Sequence, residues 1–205
     1  MSLNRHPYIG SWDKGGRHDS RVHDFTVWMP QAYKPIVGDY ILPPEVSSHT
    51  SPYTDYPANQ LEASIFLLQR KVRIDRIGIW VDGAGGAGAK IRLGIYECDL
   101  DSWYPTNLVI DAGEVDATVT GNRTITVDLI LDKGWYFLAF VTNDGAIDLR
   151  GRGYALSPIG YGASNLVVIQ GWHVSYTYGP LPSTFPSGGA RSYYRFGGIR
   201  IAELL

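Results

Sequence analysis

The sequence contains one cysteine, Cys98, among 205 residues, and this scarcity excludes two common ways of holding a fold together. A lone thiol cannot form an intrachain disulfide, and it cannot supply the ligands of a cysteine-rich zinc site. An apolar core must therefore stabilise the protein, and a chain of this length is long enough to bury one.

Long apolar runs are also absent from the sequence. No segment reaches the roughly 18 consecutive apolar residues of a membrane span, and the N-terminus, MSLNRHPYIGSWDKGG, lacks the apolar stretch of a signal peptide. We therefore expect a protein that is made in a cytoplasm and does not insert into a membrane.

Neither sign of charge dominates the chain. It has 18 Lys and Arg against 20 Asp and Glu, a net charge of -2, and the charged residues are interspersed. Nucleic-acid binding depends on basic residues gathered on one surface, which displace counterions from the phosphate backbone. DNA and RNA are therefore not expected partners.

Residues typical of strands and turns are abundant. The chain has 14 Tyr, 6 Trp and 6 Phe, which favour strands, and 24 Gly and 12 Pro, which favour turns and interrupt helices. This composition predicts an all-β protein with short connections.

Prolines interrupt the first 60 residues at positions 7, 30, 35, 43, 44, 52 and 57. Each proline lacks a backbone donor and restricts the residue before it, so we predict an extended N-terminal arm over residues 1–60, with a short strand at Asp24 to Met29. The arm is rich in aromatic residues, which predicts that it lies on its own domain, on a sister chain or on another protein.

Residues 61–205 are predicted to form one domain of antiparallel strands. Apolar residues alternate from Val72 to Val81 with one slip near Arg76, which indicates a bulge. The glycine-rich run after Val81 predicts a hairpin loop, and a further strand follows it. Beyond a loop at Trp103 to Pro105, shorter strands are predicted at Leu108 to Ile110 and Glu114 to Ala117.

The clearest alternation runs from Thr124 to Leu131, with its apolar residues inward, and it resumes from Trp135 to Val141 after a turn at Asp132-Lys133-Gly134. We predict that these two strands form a hairpin. Gly198 to Ala202 is predicted to be a closing strand. No amphipathic helix intervenes, so the fold class is an antiparallel, jelly-roll-like β-sandwich.

The order of these segments resembles a β-sandwich domain found in tail and other virion proteins of bacteriophages. The strings that carry the resemblance span roughly Leu61 to Pro186 and are VRIDRIGIWV, a Gly/Ala-rich turn, KIRLGIYECD, LVIDAGEV, ITVDLILDKGWYFLAFV and YGPLPSTFP. The resemblance implies a non-enzymatic virion structural protein of the tail-fibre, head-spike or decoration type. It implies a homo-oligomer, with a trimer as the expected copy number, and contacts with other virion proteins through the arm.

Catalytic and metal motifs are weak. The glycine-rich run at 83–88 lacks the Lys-Ser/Thr ending and the helix that a phosphate-binding loop needs. Glu97, Asp99 and Asp101 begin like a calcium-binding EF-hand loop but lack its later residues, which leaves only an irregular calcium site open. His18 and His23 are too few for a zinc site, and no Gly-x-Ser-x-Gly motif is present. We predict no catalytic residue, no metal site and no cofactor.

Aromatic residues in predicted loops are the candidate binding residues. They are Trp103, Tyr104, Trp172, His173, Tyr176, Tyr178, Tyr193 and Tyr194. Aromatic rings cover the C–H faces of sugars, and the same residue types concentrate at subunit interfaces, so both a glycan contact and an interface stay open. Trp80 and Trp135 lie in strands and are interpreted as packing residues, although alternation turns Trp80 away from the core.

The sequence therefore predicts a virion protein that displays a sandwich for attachment to a host-surface polysaccharide. Two alternatives remain. One is a capsid or tail decoration or connector protein that binds no receptor, and the other is a free carbohydrate-binding module.

Overall fold

The structure is a computed structural model that describes residues 36–41, 51–53, 57–153, 169, 171–191, 193–195 and 197–205. For residues 51–53, 152, 153, 191 and 193–195 only the backbone is described. The chain divides between Lys34 and Pro35 into two units, and the fold below is that of the second unit. The strand predicted at Asp24 to Met29 and the histidines at 18 and 23 lie outside the described residues.

The described residues form strands and contain no helix, so none of their segments could cross a membrane as a helix. In chain order the strands are β1 (Tyr40–Ile41), β2 (Ser51–Tyr53), β3 (Gln60–Leu68), β4 (Val72–Gly83), β5 (Lys90–Asp99), β6 (Tyr104–Asp116), β7 (Gly121–Leu131), β8 (Gly134–Thr142), β9 (Asp148–Gly153), β10 (Gly171–Ser175), β11 (Gly189–Arg191), β12 (Tyr193–Arg195) and β13 (Gly197–Leu204).

Two antiparallel sheets pack against each other. In the described part of the chain, the large sheet has seven strands, and five of them follow the order β1-β13-β4-β9-β12. Strand β7 pairs with the edge of β4 opposite to β13, and β2 pairs with β9. The small sheet has six strands in the order β11-β10-β3-β8-β5-β6. The predicted all-β, antiparallel sandwich is confirmed.

The inner core fills the space between the two sheets. Strand β4 supplies buried residues from Val72 to Val81, and its register shifts between Ile74 and Arg76, where the slip was predicted. The small sheet faces it with fully or nearly fully buried residues. They are Phe66, Leu68, Ile91, Leu93, Ile95, Leu138 and Phe140.

A second apolar cluster, the outer core, covers the opposite face of the small sheet. Its buried members are Leu61, Ala63, Ile65, Tyr96, Phe137, Ala139, Val141, Leu181 and Phe185. Strand β8 therefore has one face in each core, with Leu138 and Phe140 in the inner core and Phe137 and Ala139 in the outer core. A strand buried on both faces needs no polar alternation, and the sequence Trp-Tyr-Phe-Leu-Ala-Phe-Val has none.

The hairpin predicted from Thr124 to Val141 is wrong. Strand β7 pairs with β4 in the large sheet, whereas β8 pairs with β3 and β5 in the small sheet. The turn at Asp132 and Lys133 carries the chain between the sheets. The predicted faces of β7 are confirmed, because Ile125, Val127 and Leu129 pack on the inner core.

The glycine-rich hairpin is also wrong, because β4 and β5 belong to different sheets. The connecting loop is held in place by backbone donors: Gly86 N donates to Asp144 Oδ2 over 2.7 Å, and Gly85 N donates to the Ala117 carbonyl over 3.0 Å. The two short strands predicted between Leu108 and Ala117 are one strand, β6, which begins at Tyr104.

Strands from the predicted arm join the large sheet. Residues Tyr40 and Ile41 pair with Arg200 and Ile199 of β13, and β2 pairs with β9. The closing strand predicted at Gly198 to Ala202 is confirmed as β13, which pairs along β4.

Candidate functional site

The segment Tyr176–Pro186, here called the strap, crosses the outer face of the small sheet. At one end Tyr176 N donates to the Asn59 carbonyl over 2.8 Å, beside the start of β3. At the other end Phe185 N donates to the Thr106 carbonyl over 2.8 Å, and Leu108 N donates to the Ser183 carbonyl over 2.9 Å, both on β6. The strap therefore connects the start of β3 with β6, at the edge of the small sheet, and covers the outer core.

Tyrosine hydroxyls hold the proline carbonyls of the strap. Tyr96 donates to the Pro182 carbonyl and Tyr104 to the Pro186 carbonyl, each over 2.8 Å, and Tyr176 donates to the Pro180 carbonyl over 2.5 Å. Burial raises the pKa of Tyr96 and of Tyr104, which keeps both hydroxyls protonated as donors. These polar atoms are engaged within the chain.

Leu181 fixes the middle of the strap above a row of small residues. Ala63, Ala139 and Gly94 lie opposite one another on β3, β8 and β5, and they leave space above the sheet. A β-carbon on Gly94 would overlap Leu181 Cδ1, so this glycine is what lets Leu181 approach. The Leu181 backbone N donates to Asp111 Oδ2 over 3.0 Å.

Asp111 connects the strap to a partly buried ion pair. Its carboxylate lies 2.9 Å from Arg92 Nε, and the two side chains are 19% and 18% exposed. Asp111 also accepts from Gly113 N over 3.1 Å, so its oxygens have several partners. Hydrogen bonding to Lys90 lowers the pKa of Glu114 next to this pair. Charged groups that are this well paired stabilise the strap rather than offer an open site.

Partly buried aromatic rings gather where β6 begins. The aromatic cluster consists of Trp103, Tyr104, Trp135 and Trp172. Trp103 lies edge-on to Trp135 with ring centroids 5.4 Å apart, and Tyr104 is tilted against Trp172 at 4.8 Å. Trp172 Nε1 donates to the Trp103 carbonyl over 2.7 Å, which joins residues 69 positions apart in the chain.

The fold thus brings together three of the predicted binding residues, Trp103, Tyr104 and Trp172. The fourth ring, Trp135, is not among the predicted binding residues, because its position in an alternating strand indicated packing alone. The contact between Trp135 and Trp103 could not be predicted from the sequence, because Trp103 has a positive φ of 54° and does not follow the alternation of a strand.

The remaining predicted binding residues lie elsewhere. Tyr176 and Tyr178 begin the strap and pack on the outer core. His173 is adjacent to Trp172 in β10, so it faces the opposite side of the small sheet. Tyr193 and Tyr194 are in β12 of the large sheet, paired with Gly153 and Arg152 of β9.

Polar residues border the aromatic cluster. Asp99 Oδ2 accepts from Ser102 Oγ over 2.5 Å and Asp99 Oδ1 from Asp101 N over 3.2 Å, and the Ser102 bond lowers the pKa of Asp99. Asn107 donates to Glu97 Oε2 over 3.0 Å. Among the described residues, no group of three His, Cys, Asp or Glu side chains could hold a metal ion. Burial raises the pKa of the Cys98 thiol to about 12, which keeps it unreactive.

Trp80 lies apart from this cluster, on the outer face of the large sheet, and is 37% exposed. Its Nε1 donates to Asp82 Oδ1 over 3.1 Å, and the Arg150 guanidinium carbon lies 4.4 Å from the ring centroid. Arg150 also forms a two-pronged ion pair with Asp82. This ring is held by its neighbours and faces outward, as alternation predicted.

Comparison with known proteins adds no relative. No protein-family model matches the sequence, and a search of curated proteins found no match either. The rings of the aromatic cluster are partly exposed, while the Tyr104 hydroxyl and the Trp172 indole N–H bond backbone carbonyls within the chain. Such a surface favours stacking and apolar contact over proton transfer.

Proposed function

We propose that the protein is a non-enzymatic recognition module that binds a polysaccharide through the aromatic cluster, displayed on a virion for attachment to a host surface. The observation that carries the proposal is the convergence of Trp103, Tyr104, Trp135 and Trp172 as partly buried rings at one place on the surface. Flat rings fit the C–H faces of sugar rings, and their rigidity keeps the entropy of ordering low.

The surroundings of the cluster support an uncharged ligand that carries hydroxyl groups. Asp101 and Ser102 are exposed immediately before Trp103, where they can bond sugar hydroxyls. The rings contribute area and shape, since the Tyr104 hydroxyl and the Trp172 indole N–H already bond backbone carbonyls. Affinity would then come from stacking, with the polar border selecting the sugar.

The virion setting is supported by the resemblance described above. The most distinctive string, YGPLPSTFP, is residues 178–186 of the strap, which anchors beside the aromatic cluster through Tyr104 and Pro186. A sandwich whose outer face is closed by such a strap is a stable carrier for a surface site. Display on a particle would add avidity from many copies to a weak individual contact.

The experiment is adsorption of the purified, labelled protein to a panel of bacterial cells and to their extracted surface polysaccharides. Saturable binding that the free polysaccharide competes away supports the proposal. Absence of binding to every cell and polysaccharide by the folded protein would favour the decoration or connector role, in which the cluster serves packing alone.

The site is tested with Trp172→Leu, which keeps an apolar side chain and removes the flat ring. We expect polysaccharide binding to weaken by roughly tenfold, the loss of one good ring contact. Trp80→Leu is the matched control, since it makes the same change on the other sheet and should leave binding unaltered. Equal losses for the two variants, measured by titration calorimetry, would contradict the assignment of the site.

A further inference from the structure

Two strand edges lie at the same side of the sandwich, and they are protected to different degrees. Strand β6, at the edge of the small sheet, is covered along its first half by the strap through Leu108 and Thr106. Its register with β5 shifts repeatedly between Leu93 and Cys98, and Gly113 has a φ of +97°. Covered and bulged edges resist pairing with another strand.

Strand β7, at the edge of the large sheet, has no such protection from the residues that the structure describes. It runs for 11 residues with an unbroken alternation of half-buried and exposed positions. It pairs with β4, and no strand in the described part of the chain pairs with its other edge. An exposed edge of this length presents a row of free backbone donors and acceptors to another chain.

The apolar side of β7 is also incompletely covered. Ile125, Val127 and Leu129 point inward but stay half-buried, whereas their neighbours Ile74 and Ile77 on β4 are fully buried. Ile130, on the outer face, is 53% exposed. At one end, the space between β6 and β7 opens into a groove of about 390 Å³ lined by Glu114, Val115, Asp116, Asn122, Arg123 and Thr124.

We propose that β7 pairs antiparallel with β7 of a second copy of this chain, centred on Val127, so that two large sheets become one continuous sheet. In this register each Ile125 faces Leu129 of the other copy, and Thr126 faces Asp128. The half-buried apolar residues then cover one another, and the backbone groups of both edges find partners.

The sequence of β7 indicates that a second copy of the chain binds at its free edge. Around Val127 the strand is self-complementary: apolar residues meet apolar residues on the inner face, and no two like charges are opposed. The outward-facing Thr124 meets Ile130. A strand that pairs with itself in this way closes about a two-fold axis, which yields a dimer and not the trimer that the resemblance implies.

The test uses the full chain and two double variants that share one change. In Thr124→Lys with Ile130→Glu, opposite charges face each other across the pairing, twice per dimer. In Thr124→Glu with Ile130→Glu, like charges face each other. Within one copy these two positions are roughly 20 Å apart along the strand, beyond the screening length at 0.15 M salt. The two substituted positions therefore interact little within one copy, so a large difference in dimer affinity between the variants reports their contact across the pairing.

Sedimentation velocity and light scattering measure the outcome. The unaltered chain is expected to give a dimer, with a mass about twice the 22.7 kDa of the chain. The variant with opposite charges is expected to dimerise at least roughly tenfold more tightly than the variant with like charges, and 1 M NaCl should narrow this difference. Thermal melting checks that both variants fold.

Either of two results would overturn the proposal. One is a chain that remains monomeric at every concentration up to the solubility limit, which would mean that β7 recruits no second copy. The other is an assembly of any size whose stability is the same in the two folded double variants, which would place the interface elsewhere.

Discussion

Single residues hold the strap in place, as three tyrosines illustrate. The hydroxyls of Tyr96, Tyr104 and Tyr176 each donate to a proline carbonyl of the strap. Tyr96 is fully buried, whereas the partly buried Tyr104, whose hydroxyl is engaged in this way, offers only its ring face to a ligand. The sequence indicates which aromatic residues are present, and it cannot indicate which of their atoms remain available.

Gly94 is the residue at which the outer core is most sensitive to size. A β-carbon there would overlap Leu181 Cδ1 and crowd the Ile110 carbonyl. We expect Gly94→Ala to lower the free energy of unfolding by about 1–3 kcal/mol, as overpacking of a filled core does. Urea unfolding followed by tryptophan fluorescence measures the change.

Gly134→Ala is the control for this prediction. Its β-carbon would approach only the Tyr136 ring, at 3.7 Å, an ordinary contact. We expect stability within about 0.5 kcal/mol of the unaltered protein. If Gly94→Ala proved as harmless as Gly134→Ala, Leu181 could not be seated on the small-residue row.

At the scale of strands, alternation predicted where strands lie and which faces are apolar, but not how they pair. The turn Asp132-Lys133-Gly134 fits a hairpin as well as a crossing between sheets, because turn residues specify local backbone and not the partner strand. Every second residue of β7 is apolar, and the same period of two continues through Phe137, Ala139 and Val141 of β8. The two sets nevertheless face different cores, the inner core for β7 and the outer core for β8. Which strands pair is decided by contacts between residues far apart in the chain, and these contacts leave no local pattern in the sequence.

The candidate site was predicted in part for the same reason. Trp103, Tyr104 and Trp172 are candidates because the sequence places them in loops; the fold gathers them, although Tyr104 lies in β6 and Trp172 in β10. Trp135 was hidden inside a regular pattern. The strap itself follows no period, so its path across the small sheet could not be foreseen from its prolines and glycines.

The loop between β4 and β5 depends on one carboxylate at the β8–β9 turn. Asp144 accepts from Ala146 N over 2.8 Å and from Gly86 N over 2.7 Å, and these bonds lower the pKa of Asp144 below its ordinary value of 3.8. A carboxyl whose pKa is lowered on folding adds stability above its unfolded pKa, and that stability is lost as pH falls through its folded pKa.

Asp144→Asn is therefore expected to melt at a lower temperature than the unaltered protein at pH 6, and the difference should shrink below about pH 4. Thermal melts between pH 2 and pH 7 measure it. Asp132→Asn is the control, because Asp132 forms an exposed ion pair with Lys71 and should alter melting little at any pH. A difference for Asp144→Asn that stayed constant down to pH 2.5 would contradict this account.

For the whole molecule, the two cores and the strap make the sandwich depend on residues before its first long strand. Asn59 has a positive φ of 63°, its N donates to the Thr142 carbonyl, and its carbonyl and Oδ1 accept from Tyr176 N and Tyr178 N. Strands β1 and β2 extend the large sheet from further upstream. A boundary at residue 60, as the prolines suggested, cuts away these contacts.

Truncation measures this dependence. We expect residues 35–205 to unfold in one cooperative transition, because they contain both cores. Residues 61–205 lose the strap anchor at Asn59 as well as β1 and β2. The three hydrogen bonds of Asn59 alone, at about 1 kcal/mol each, correspond to a melting temperature lower by roughly 6–12 °C, and the loss of β1 and β2 adds to this decrease.

A third chain, residues 57–205, separates the two contributions, because it keeps Asn59 and omits β1 and β2. If the strap anchor dominates, its melting temperature lies close to that of residues 35–205; if the upstream strands dominate, it lies close to that of residues 61–205. Equal melting temperatures for all three chains would mean that neither Asn59 nor the upstream strands hold the sandwich together. The two cores would then be sufficient by themselves, and the strap would be held by its contacts with β5 and β6.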